Sequence, residues 1–210
     1  MYPKSNMAAI KYLPKNYNPK KSYPILMALH GLKESPLKSI KHFKPVADEL
    51  NMILICPEGQ SFSQAYLRKP IDDRKNFVNF LNLVATQHKI NKNKSILVGF
   101  SRGGNFAIET ALKYPNKFKN VISYFGFFNK GVERIPQKKL TQNSNTYKKT
   151  KIYFYSGNGD QTLQSNIFGR RILGKLNIKS RLYIDKNLNH DFPKNLVEHI
   201  KKTQAWMKIN

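Results

Sequence analysis

Ser95-Ile-Leu-Val-Gly-Phe-Ser-Arg-Gly-Gly104 decides the fold. Ser95 to Val98 read as a short buried strand, and a helical pattern runs from about Asn105 to Tyr114, stopped by Pro115. Between them, Gly99-Phe100-Ser101-Arg102-Gly103 spells G-x-S-x-G. A random chain of this length holds that pattern with a probability of about 0.03 to 0.04. Its setting between strand and helix gives it meaning, because the motif requires a very sharp strand-to-helix turn. Side chains two residues before and after the serine would collide, so both positions take glycine. Such a turn lifts the Ser101 hydroxyl into the open at the C-terminal edge of a sheet. The following helix aims its first amides at the same point. Ser101 is the candidate nucleophile.

Outward from this turn, apolar runs alternate with helical patterns. Ile25 to Leu29 runs into His30-Gly31, Met52 to Cys56 into Pro57, and Val121 to Phe125 into Gly126. Ile152 to Tyr155 and Arg181 to Ile184 follow. Six short runs of this kind read as buried strands of a parallel sheet. Phe77, Phe80, Leu81 and Val84 fall at helical spacing after Asp72-Asp73, two residues suited to capping. Ile167 to Leu176 reads as a helix, and a last one starts near Pro193 and carries Leu196, Val197, Ile200 and Met207. The alternation predicts one doubly wound α/β domain over residues 1–210, with a mostly parallel sheet and helices on both faces. Ala8 to Leu13 is a candidate edge strand. The long polar stretch from 129 to 151 reads as a small lid or a surface excursion, too short for a large cap.

Composition narrows the classes. The chain has 210 residues, 40% of them hydrophobic, enough for one sizeable core. No apolar stretch approaches the roughly 20 residues that span a bilayer. The opening Met1-Tyr2-Pro3-Lys4-Ser5 lacks the apolar segment of a signal peptide. Cys56 is the only cysteine, which excludes an internal disulfide. Together these suggest a cytoplasmic protein. The formal net charge is +25, which raises a polyanion-binding reading, for nucleic acid or an anionic membrane. Yet 30 of the 37 cationic residues are lysine, spread along the whole chain beside abundant asparagine. Arginine is the residue that planar phosphate recognition prefers, so the excess reads as compositional drift and no specific nucleic acid is expected. The sequence carries no zinc-finger spacing and no phosphate-binding or dinucleotide glycine motif.

A serine nucleophile needs a general base, and the base needs an orienting carboxylate. Of the five histidines, His190 alone is both downstream of Ser101 and in a loop after the last strand, Asn187-Leu-Asn-His-Asp-Phe192. His88 and His199 read as helix residues, His42 lies in a Lys-rich segment, and His30 reads as a packed loop residue. Asp160 follows a strand in Ser156-Gly-Asn-Gly-Asp160, where glycines allow a tight loop back to the sheet edge. Its competitors are Asp185 and Asp191. Asp160 also suits a plain helix-capping role. The serine also needs two N–H donors for a developing oxyanion. Candidates are the amides of Arg102 and of Leu32, with Gly31 supplying the turn.

Tyr12-Leu-Pro-Lys-Asn-Tyr17, Leu29-His-Gly-Leu32, Gly99-Phe-Ser-Arg-Gly-Gly104, Gly157-Asn-Gly-Asp160 and Asn189-His-Asp-Phe192 together resemble the α/β-hydrolase superfamily. The likeness is to its small, nearly cap-free phospholipase/carboxylesterase group and covers about residues 8 to 208. It implies a serine hydrolase with Ser101 as nucleophile, His190 as base, Asp160 as orienting acid, and Leu32 and Arg102 amides as oxyanion hole. Lys33-Glu34 stand where that group's thioesterases carry Gly-Asp, which argues against protein deacylation. The expected reaction is hydrolysis of a small carboxylic ester or thioester through an acyl-enzyme, with no cofactor. An acyltransferase or a peptidase would use the same three residues. Tyr124, Phe125, Phe127 and Phe128 are candidates for an acyl pocket or for core, and basic surroundings would favour anionic substrates.

Overall fold

The computed structural model describes residues 8–61, 63–128 and 147–209. Along them run β1 (Ala9–Tyr12), β2 (Ile25–Leu29), α1 (Pro36–Glu49), β3 (Ile53–Pro57) and α2 (Asp73–Gln87). Then come β4 (Ile96–Phe100), α3 (Arg102–Lys113), β5 (Asn120–Tyr124) and β6 (Lys151–Gly157). The last three are α4 (Leu163–Lys175), β7 (Lys179–Asp185) and α5 (Leu196–Met207). The strands form one sheet in the order β1-β3-β2-β4-β5-β6-β7, parallel throughout except for β1, which pairs antiparallel with β3. The 129–151 stretch lies outside the described residues except for its last five positions, where Tyr147 and Thr150 are buried.

The continuous apolar strands follow from burial on both faces. Ile25, Met27 and Leu29 of β2 pack with Phe77, Phe106 and Leu173 from α2, α3 and α4. Leu26 and Ala28 point the other way, to Phe43 of α1 and to Ile200 and Met207 of α5. Period-two alternation thus feeds two cores, one per face.

Several boundaries differ from expectation. Helix α1 carries Pro45 in its interior and only a few apolar residues, Phe43 and Val46 among them, so its stripe is weak in the sequence. Helix α4 starts at Leu163 rather than Ile167, and α5 at Leu196 after the capping Asn195 rather than near Pro193. Asp72 does cap α2, its side chain accepting from the Arg74 amide. Strand β7 is not a buried strand: it is the sheet's edge, and Tyr183 is 44% exposed there.

The topology places the site. From β2 the chain winds by α1 to β3 on one side, and from β4 it winds by α3 to β5 on the other. The connections diverge between β2 and β4, which are hydrogen-bonded neighbours with Leu29 opposite Gly99. A crevice outside the carboxyl ends of such strands is where open α/β sheets bind ligands.

Candidate active site

Ser101 is the first residue past β4 and caps α3 with φ 50° and ψ −115°. A non-glycine residue with positive φ is strained, at a cost of about 1–3 kcal/mol. The surroundings hold it there. The Ser101 amide donates to Tyr124 O at 2.8 Å and its carbonyl accepts from Asn105 at 3.1 Å. A Cβ on Gly99 would lie 2.2 Å from the Gly103 carbonyl oxygen. A Cβ on Gly103 would lie 2.4 Å from Leu29 O and 2.5 Å from His30 O. The glycines thus serve two approaches: Gly99 admits the first turn of α3, and Gly103 lets that turn press onto the end of β2.

That pressure brings the loop after β2 beside the head of α3. The residue in the left-handed region here is Lys33, φ 56°, and not Gly31, whose contribution is space against Glu34 and Phe100. The Gly31 amide donates to Glu34 Oε2 at 2.7 Å, and Glu34 pairs in turn with Lys38. The Leu32 amide makes no hydrogen bond among the described residues. Arg102 heads α3, where the first amides of a helix have no acceptor within it. His30 is the packed residue expected: it is buried and its Nδ1 meets Gly31 O at 2.8 Å.

Asp160 and His190 meet from two different loops. Asp160 Oδ2 accepts from His190 Nδ1 at 2.5 Å. Asp160 Oδ1 accepts from the Thr162 amide at 2.7 Å and from the Thr162 hydroxyl. The carboxylate therefore braces the turn before α4 and holds the imidazole; it is not the helix cap foreseen as its alternative role, since the N-cap position belongs to Thr162. Burial works against its ionisation, but Thr162 and His190 outweigh that and hold its carboxyl below the usual range. An ionised carboxylate only accepts, so Nδ1 is the donor, and in the neutral imidazole Nε2 then carries the lone pair. The competing carboxylates are engaged elsewhere. Asp185 accepts from the Tyr155 hydroxyl at 2.5 Å and the Asn187 amide at 2.9 Å, and Asp191 accepts from the Phe192 amide. No glycine in the Asp160 loop has positive φ. Gly157 acts instead by lack of bulk, since a Cβ there would stand 1.9 Å from Leu188 O in the loop that carries His190.

Ser101, Asp160 and His190 line one open cavity of about 440 Å³, together with Phe127, Thr162 and Asn189. The Ser101 hydroxyl has no hydrogen-bond partner among the described residues; catalytic hydrogen bonds tighten around substrate. The His190 side chain is 37% exposed and that of Asp160 only 3%. Phe100 and Phe125 flank the imidazole, each with ring centroids 5.1 Å away. Tyr124, Phe125 and Phe128 are buried core, and Phe127 alone of that aromatic group lines the cavity. Sequence reasoning missed Thr162, Phe100 and Phe125 as supports, although Phe100 stands inside the motif. A larger cavity, about 840 Å³, lies at the amino ends of the strands among Tyr23, Asn51, Asn91 and Lys201. Its described lining holds no histidine, cysteine or carboxylate, so chemistry rather than size picks out the site.

The family model Esterase, described as "Putative esterase", matches residues 2–190. The chain belongs to the esterase family. Its solved neighbours share the fold at low identity. A ferulic acid esterase superposes with a TM-score of 0.74 at 18% identity, covering 97% of this chain and 91% of that one. Staphylococcus aureus fluorophosphonate-binding serine hydrolase F does so at 0.73 and 17%, covering 97% and 98%. An Agrobacterium tumefaciens S-formylglutathione hydrolase follows at 0.67 and 15%, covering 95% and 89%. No curated protein sequence matches the chain. The fold and the membership together make the protein an esterase built on the α/β-hydrolase fold. Among its described residues, no helix is long and apolar enough to cross a membrane.

Proposed function

We propose that Ser101, His190 and Asp160 form the catalytic triad of a carboxylesterase that also accepts thioesters, working through an acyl-enzyme. The Asp160–His190 hydrogen bond beside the strained serine turn carries this reading. Ser101 Oγ attacks the carbonyl carbon while His190 Nε2 takes the hydroxyl proton. The carbonyl π electrons move onto oxygen, facing the amides of Leu32 and Arg102, each worth roughly 3–4 kcal/mol of barrier. Collapse of that intermediate expels the alkoxide or thiolate, which leaves with the proton from Nε2. Water, deprotonated by the same nitrogen, then attacks the acyl-enzyme and releases the acid and free Ser101. The open cavity suits short acyl groups. A p-nitrophenyl acetate assay and fluorophosphonate labelling test the assignment. Wild type turns over and is labelled at Ser101, and Ser101→Ala does neither. Labelled or fully active Ser101→Ala protein refutes the triad.

A further inference from the structure

Two guanidinium groups share one aromatic ring of α3. Arg68 Cζ lies 4.7 Å and Arg102 Cζ 5.1 Å from the centroid of Phe106. They are not equally neutralised. Glu109, fully buried on α3, receives Arg68 on both oxygens and Arg74 Nη1 on one, at 3.2 Å. Asp72 is taken by Arg74 and Lys113. Among the described residues, Arg102 has no carboxylate within ion-pair distance. Burial, with Arg68 close by, disfavours its charge, and Glu109 opposes this only in part. A partly dehydrated cation without a counter-ion is a cost that an anionic ligand can offset. Arg102 directly follows Ser101, and its guanidinium stands 5.8 Å from the centroid of Phe127, a wall of the Ser101 cavity.

We propose that the Arg102 side chain selects esters bearing a carboxylate a few bonds from the scissile carbonyl, so that anionic half-esters are the preferred substrates. This rests on the assignment of Ser101 made above. The planar guanidinium can take a carboxylate through two parallel hydrogen bonds. The faces of Phe106 and Phe127 lie beside it, while Arg68, its Nε and Nη2 engaged by Glu109 and Asn105, adds positive potential.

The test compares p-nitrophenyl hemiglutarate with its neutral analogue p-nitrophenyl valerate, reading the ratio of their kcat/KM values. A second pair, 4-acetoxybenzoate and 4-acetoxybenzamide, puts the charge on the leaving group. In wild type one pair or both favour the anion. Arg102→Gln lowers that ratio roughly ten- to a hundredfold, the worth of one charge-assisted contact. Arg102→Lys restores part of it. Calorimetric binding of monomethyl glutarate against methyl valerate to Ser101→Ala protein reads the same preference without turnover. Ratios near one in wild type for both pairs, or ratios that Arg102→Gln leaves unchanged, overturn the proposal. Should Arg102→Gln not fold, the wild-type ratios and Arg102→Lys decide. Selective binding without hydrolysis or labelling of the wild type overturns the Ser101 assignment instead.

Discussion

At the residue scale, the informative group is Asp160, because one carboxylate spends its two oxygens on different tasks. Oδ1 ties it to Thr162 and so to the start of α4, and Oδ2 orients His190. Asp160→Asn keeps a similar shape and can still accept from Thr162 through its amide oxygen. It offers Nδ1 either an amide donor or a neutral acceptor, and in the first case the imidazole takes the wrong tautomer for accepting the Ser101 proton. The expected outcome is a fall in kcat of roughly 10⁴-fold with a modest change in KM. Steady-state kinetics on a p-nitrophenyl ester measure it. A loss below tenfold would move the orienting role to another group, and both Asp185 and Asp191 are already engaged.

At the scale of elements, legibility tracked how local each signal is. The turn around Ser101 was readable because its sterics lie within five residues, and the structure adds only that Gly103 clears Leu29 and His30 rather than Gly99. Helix α1 was not, since its polar stretches and Pro45 mask a stripe that needs only Phe43, Val46 and Ala47 to be buried. The exposed edge character of β7 was hidden because burial depends on a neighbour the sequence does not name. Gly157 is the sharpest case of a non-local cause: it is glycine because the His190 loop crosses it. Gly157→Ala is expected to displace that loop and cut kcat/KM at least a hundredfold, the scale of a misplacement of about 1 Å. Circular dichroism and the ester assay on one sample separate this from unfolding. Helix α5 supplies a pH-dependent contribution. His199 Nδ1 meets the Tyr124 hydroxyl at 2.7 Å, its Nε2 is buried without a partner, and burial lowers its pKa to about 4. Between about pH 6.5 and 4 the unfolded chain then binds more protons at this residue than the folded one. Stability falls as pH drops through that window, by on the order of 2 kcal/mol after screening of a partly exposed ring. Urea denaturation from pH 7 to 4 is expected to show this slope in wild type and a flatter one in His199→Phe.

At the scale of the whole molecule, the charge of +25 acts on everything that approaches the site, whatever Arg102 does locally. Its sources are mostly lysines spread along the whole chain, so the field is broad. A broad field is screened: the Debye length is about 10 Å at 0.1 M salt and about 30 Å at 0.01 M. The contact proposed for Arg102 lies partly buried and is screened far less. The two contributions therefore separate by ionic strength. From about 10 to 200 mM salt, kcat/KM for an anionic ester should fall severalfold as steering is lost, while a neutral ester of the same length stays nearly flat. The preference left at high salt measures the local guanidinium, and Arg102→Gln should remove that remainder while leaving the salt slope in place. A neutral ester with the same salt slope as the anionic one would show that salt perturbs the fold or the chemistry, and that the surface field does not steer substrate.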